Sequence, residues 1–171
     1  MVPTWDLVLL VFLGASLVYG FLMGREKVII TLLGAYVGLV IANQWGASAF
    51  AMLSQENDVI NNGWMSGNLS IFVVKVILFA AVLLLIAMKG GLMLHGSMGG
   101  GGMMGFVVQA GYSVLNAALI ASSILNFLPD ETKQQVISGS LIAAPLVNFY
   151  SWFLILPLLF MIVASFISKS E

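Results

Sequence analysis

Among the polar side chains inside the long apolar runs of this sequence, Lys75, Gln109 and Asn116 are the first candidates for chemistry. An ammonium group at the centre of a membrane helix costs about 2.5–3.5 kcal/mol, so such groups mark substrate or ion paths unless they can reach the headgroups. Lys75 lies about one helical turn from the end of its run, and its four-carbon stem can carry the charge to the interface, so snorkelling is the simpler reading. Gln109 and Asn116 can line a path or bridge helices; bridging, at roughly 0.6–2 kcal/mol per hydrogen bond, is the better match. A proton relay would need further ionisable groups, and the apolar runs contain no Asp, Glu or His.

A second group surrounds the single histidine. Met88, Met93, Met98 and Met103 recur every five residues around His95, and thioether and imidazole ligands suit Cu(I). A five-residue period scatters these side chains around a helix, and the intervening glycines preorganise no cage. An adaptable interfacial connector is therefore preferred to a metal site. Gly100 to Gly105 formally fits G-x-G-x-x-G, but no strand precedes it and no acidic residue follows about 20 positions on, which excludes nucleotide binding. Asn68-Leu69-Ser70 fits a glycosylation acceptor. With one His, no Cys, no G-x-S-x-G and no His or carboxylate placed to activate a Ser, catalysis is not expected. The expectation is a protein without enzymatic activity, cofactor or metal.

These residues sit in a chain that is 61 % hydrophobic and 8 % charged, with a mean hydropathy of +1.09. Soluble domains run nearer 25 % charged, so the solvent that suits this chain is a bilayer. Six Lys and Arg in 171 residues, with a net charge of −1, cannot neutralise a phosphate backbone, which argues against nucleic acid. The opening MVPTWD lacks the basic segment of a signal peptide, so the first apolar run reads as a retained span.

The runs predict an all-α, polytopic transmembrane bundle of about five spans: 7–24, 28–45, 71–88, 106–128 and 141–167. Four spans with a re-entrant last segment are the alternative, because Pro145 and Pro157 interrupt the fifth. Thr4 or Asp6 can cap the first helix, and Pro129 stops the fourth. Between the spans lie a polar loop at 54–70, a Gly/Met-rich connector at 92–105 and a polar connector at 130–139. Five crossings place Arg25, Lys27, Lys89 and Lys169 on one side and the acidic 54–70 loop on the other, with Lys133 the exception. By the positive-inside rule the N-terminus is then outside and the C-terminus cytoplasmic.

Helices in lipid associate through small residues that let backbones approach. Gly20 and Gly24 close the first span, Gly34 and Gly38 lie in the second, and Ser113, Ala117 and Ala121 are spaced by four in the fourth. The first, second and fourth helices are expected to pack together.

The segment WDLVLLVFLGASLVYGFLMGREKVIITLLGAYVGLVIA (5–42) resembles the start of the colicin V production protein (CvpA) family of bacterial membrane proteins. Asp6 at the entrance of the first span, Gly20-Phe21 with Gly24, and the register Leu32-Leu33-Gly34, Gly38, Ala42 carry the likeness. Gly105-Phe106 through Ala121 is loosely similar to the family's last helix. The resemblance implies a multi-pass inner (plasma) membrane protein linked to toxin production or export and to envelope homeostasis, with other membrane proteins or itself as partners. It brings no catalytic or ligand residues. A small oligomeric channel or transporter, with Lys75, Gln109 and Asn116 lining the pore, is the alternative.

Overall fold

The computed structural model describes residues 5–55, 70–90 and 103–167. They form seven helices: α1 Trp5–Met23, α2 Arg25–Gln55, α3 Ile71–Gly90, α4 Met103–Phe127, α5 Asp130–Gly139, α6 Ala143–Asn148 and α7 Tyr150–Ile167. Helices α1 to α4 are long and apolar enough to cross a membrane. His95, Met93, Met98, the Gly100–Gly102 run, Asn68 and Lys169 lie outside the described residues.

Side-chain contacts fix the helix directions. Gly34 faces Ile86, Gly38 faces Phe79 and Gly46 faces Lys75, so α2 and α3 run antiparallel along most of α3. Gly20 meets Ser113 while Leu9 clusters with Ala121 and Leu125, so α1 runs antiparallel to α4. Val28 packs with Tyr112 and Ala42 shares a cluster with Phe127, which sets α2 parallel to α4. The Tyr112 ring stacks edge-on against Phe160 at 4.9 Å, and Tyr150 faces Ser123 and Asn126. Helix α7 therefore descends beside α4 in the opposite direction.

The bundle thus has two distinct ends. One carries Trp5, Trp45 and Trp152, all exposed, as amphipathic indoles at a membrane interface should be. The other carries Arg25 and Lys27 at the start of α2 and Lys89 at the end of α3. Exposed leucines, valines and isoleucines cover the outside between them, the inverse of a water-soluble surface and the expected one for lipid.

Three expectations change in detail. The second span is a single helix of 31 residues, roughly 46 Å at 1.5 Å per residue, longer than a hydrocarbon core of about 30 Å. The 130–139 connector is itself a helix, α5. Pro129 stands at its N-cap and Asp130 and Glu131 in its first turn, where acidic groups favour the positive helix end; Val136 buries its inner face. The 141–167 run is two helices rather than one, because the chain turns at Phe149, whose φ/ψ of −102°/24° leaves the helical range. Pro145 is tolerated in the first turn of α6, where its missing N–H has no intrahelical partner to lose. What remains, α7, has 18 residues, roughly 27 Å, close to the minimum for a crossing.

Candidate functional site

Helices α1, α2, α3, α6 and α7 all touch α4, so any interior site is built around its inner face. That face is unusually polar for a membrane interior: Tyr112, Ser113, Asn116, Ser122 and Ser123 are all buried. Most of its groups are satisfied within the bundle. Ser113 Oγ donates to the Gln109 carbonyl at 2.9 Å, and Ser122 and Ser123 both donate to the Leu119 carbonyl, at 3.1 and 2.7 Å. Such back-bonding to the preceding turn lets a hydroxyl sit in an apolar setting.

Gln109 bridges two helices. Its Nε2 donates to the carbonyls of Gly20 at 2.9 Å and Phe21 at 3.3 Å; the Gly20 carbonyl also accepts from the Gly24 N–H at 3.2 Å, and the last carbonyls of a helix need donors from beyond it. Gln109 is thus a side-chain cap on the C-terminus of α1. Gly24 explains why α1 ends there. Its φ of +83° is a left-handed conformation that a Cβ disfavours, and a Cβ built on it would meet nothing within 4 Å. Gly24 forms the turn between α1 and α2 and is not a packing residue.

The other small residues do face neighbours. A Cβ on Gly20 would overlap Ser113 Oγ and sit 2.6 Å from Ser113 Cβ. Ser113, Ala117 and Ala121 are buried on the α4 face turned to α1. Gly34 and Gly38 lie against α3, not α4: added Cβ atoms would stand 3.2 Å from Ile86 Cγ2 and 3.1 Å from the Phe79 carbonyl oxygen. The seams are therefore α1–α4 and α2–α3, with α2 and α4 joined through larger side chains such as Leu32, Leu39 and Leu119.

Lys75 sits near the tryptophan end of α3. Its stem lies across Gly46, whose added Cβ would come within 2.5 Å of Lys75 Cγ. The ammonium stands 5.7 Å from the Phe127 ring centroid, and no carboxylate among the described residues pairs with it. The site holds a long stem and a cation over an aromatic face, without a carboxylate relay. Lys75→Met keeps the stem and loses only the cation–π contact, about 0.5–1 kcal/mol. Thermal unfolding in detergent should shift by a few degrees at most; complete loss of assembly would show that the charge itself holds the helices. Asn116 differs from the rest, since its buried Oδ1 has no hydrogen-bond partner among the described residues.

Several contacts have no counterpart in the sequence reading. Asp6 does not cap α1. It lies in the first turn, and its Oδ1 accepts from Ser140 Oγ at 2.5 Å and from the Ile142 N–H at 3.0 Å. Ser140 Oγ in turn accepts from the Ala143 N–H at 3.0 Å. The α5–α6 loop is thereby tied to the start of α1. The Tyr36 hydroxyl donates to the Leu154 carbonyl at 2.6 Å, one residue beyond the carbonyl that Pro157 leaves without its helical donor. Gly111 lets the Phe160 ring approach, and an added Cβ would lie 2.5 Å from its Cζ. Gly46 was the legible one, because it continues the four-residue spacing of Gly34, Gly38 and Ala42.

Among the described residues no three His, Cys, Asp or Glu side chains come together. The arrangement supplies helix-to-helix hydrogen bonds and close backbone packing. Comparison with protein-family models, curated proteins and solved structures finds no match to this chain.

Proposed function

We propose that the protein is a non-enzymatic accessory or structural component of the bacterial inner (plasma) membrane, its basic end in the cytoplasm. The observation that carries this reading is the use of interior polar groups: Gln109, Ser113, Ser122, Ser123 and Tyr36 all donate to backbone carbonyls of the bundle. A permeation path needs polar groups that remain available to a passing solute, and this interior closes on itself. The likeness of residues 5–42 to the colicin V production family supports a link to toxin export and envelope homeostasis.

In-membrane crosslinking in the native host, followed by gentle purification, tests the accessory role. Recovery with export or envelope proteins is expected. Recovery alone or only with copies of itself would favour the small channel, for which the unpartnered Asn116 oxygen is the supporting feature. Orientation has its own test, made clean by the absence of cysteine. Glu131→Cys should react with a membrane-impermeant maleimide on intact cells, and Lys89→Cys only after permeabilisation. The reverse pattern would invert the topology.

A further inference from the structure

The basic end of the α1–α4 seam combines an oriented cation with an apolar platform. The Arg25 guanidinium carbon lies 5.8 Å from the Tyr112 ring centroid. Tyr112 is only 2 % exposed and is braced edge-on by Phe160, so the ring that carries the guanidinium is held in place. Among the described residues no carboxylate pairs with Arg25. Immediately beside this corner, Phe21 and Phe106 stack at 4.9 Å, and they remain 37 % and 62 % exposed on the outer face of the bundle. Gln109, whose amide binds the Gly20 and Phe21 carbonyls, lies one turn from both Phe106 and Tyr112 and so fixes the platform relative to the cation.

We propose that this corner binds an anionic phospholipid, the phosphodiester headgroup on the Arg25 guanidinium and an acyl chain along the Phe21–Phe106 stack. A guanidinium held over an aromatic face by a cation–π contact has its N–H fork available for a phosphate and loses less freedom on binding than a lysine ammonium would. The exposed stack selects a lipid over a free phosphate ester, because two aromatic rings on membrane-crossing helices face hydrocarbon, not water. Lys89 shares the same end and charge without an aromatic seat among the described contacts, and therefore serves as the control for the general attraction of basic residues to anionic membranes.

The test is lipid binding by the purified full chain in mild detergent, read by native mass spectrometry. Phosphatidylglycerol is titrated against phosphatidylcholine of the same chain length, with glycerol 3-phosphate as a soluble competitor. Wild type should prefer phosphatidylglycerol, and Arg25→Gln should weaken that binding at least about tenfold, the loss of a charge-assisted hydrogen bond to the phosphate. Lys89→Gln should change it less than about twofold, Arg25→Lys should fall between, and Phe106→Ala should weaken both lipids. Equal effects of Arg25→Gln and Lys89→Gln, displacement by glycerol 3-phosphate, or no preference over phosphatidylcholine would each overturn the proposal. If Arg25→Gln does not purify as a monodisperse protein, Arg25→Lys against Lys89→Gln decides on the same criterion.

Discussion

Gly20→Leu is expected to destabilise the bundle strongly, whereas Gly14→Leu, six residues earlier on the same helix, should be nearly silent. A Cβ at Gly20 would overlap the Ser113 hydroxyl and stand 2.6 Å from Ser113 Cβ, while one at Gly14 meets nothing within 4 Å. Ser113 cannot swing aside easily, being 2 % exposed with its Oγ bonded to the Gln109 carbonyl. Relief must come from separating α1 and α4, which would also pull the Gly20 carbonyl from Gln109. Overpacking a tight core costs about 1–3 kcal/mol, and more where backbone must move. Loss of the bridging hydrogen bonds adds roughly 0.6–1.7 kcal/mol, against a total stability of order 5–15 kcal/mol. The Leu variant should therefore aggregate or run as a broadened species on size exclusion in detergent. A double variant sharpens the test: Gly20→Ala with Ser113→Gly removes both clashing atoms, whereas Ser113→Ala leaves the Cβ in place. Rescue by Gly but not by Ala would assign the defect to this contact. A monodisperse Gly20→Leu protein with wild-type melting would refute the close α1–α4 approach.

That contact shows what the sequence could and could not reveal. The runs that became α1 to α4 were legible because a bilayer demands long uncharged helices, a requirement visible in any window of the chain. The smallness of Gly20 and Ser113 was equally visible. Their partnership was not, because the residues are 93 positions apart and nothing in either segment encodes the other. The spacing of Gly34 and Gly38 marks a packing face, but their partner is α3, whose Ile86 and Phe79 carry no small-residue signature. Gly24 matched the same G-x-x-x-G pattern as Gly20 and serves a turn instead; the charged triplet that follows it was the discriminating signal. The bond from Asp6 to the Ser140–Ile142 loop was illegible for another reason. An aspartate at a helix entrance has a local explanation as a cap, and only the tertiary fold replaces it with a remote one.

Asn116→Leu is expected to raise the stability of the protein, the opposite of what replacing a buried carboxamide usually does. Asn116 is 7 % exposed and its Oδ1 lacks a partner among the described residues. Leaving such an acceptor buried costs about 1–3 kcal/mol, while an apolar side chain of similar shape carries no such penalty. Thermal unfolding of Asn116→Leu should move upward, and Asn116→Asp should move downward, since a buried unpaired carboxylate costs more than an amide. A loss of stability in the Leu variant would mean that Asn116 holds the bundle through bonds as Gln109 does. The sign therefore separates glue from orphan, and function can be read on top of it. In an accessory protein the stabilised Asn116→Leu variant should recover the same crosslinked partners as wild type. If it gains stability while the protein loses its role in the cell, the unpaired oxygen is maintained at a cost to the fold, which is the behaviour of a residue that meets a solute. Liposome flux measured with that variant would then identify the bundle interior as a path, and the accessory reading would give way to the channel.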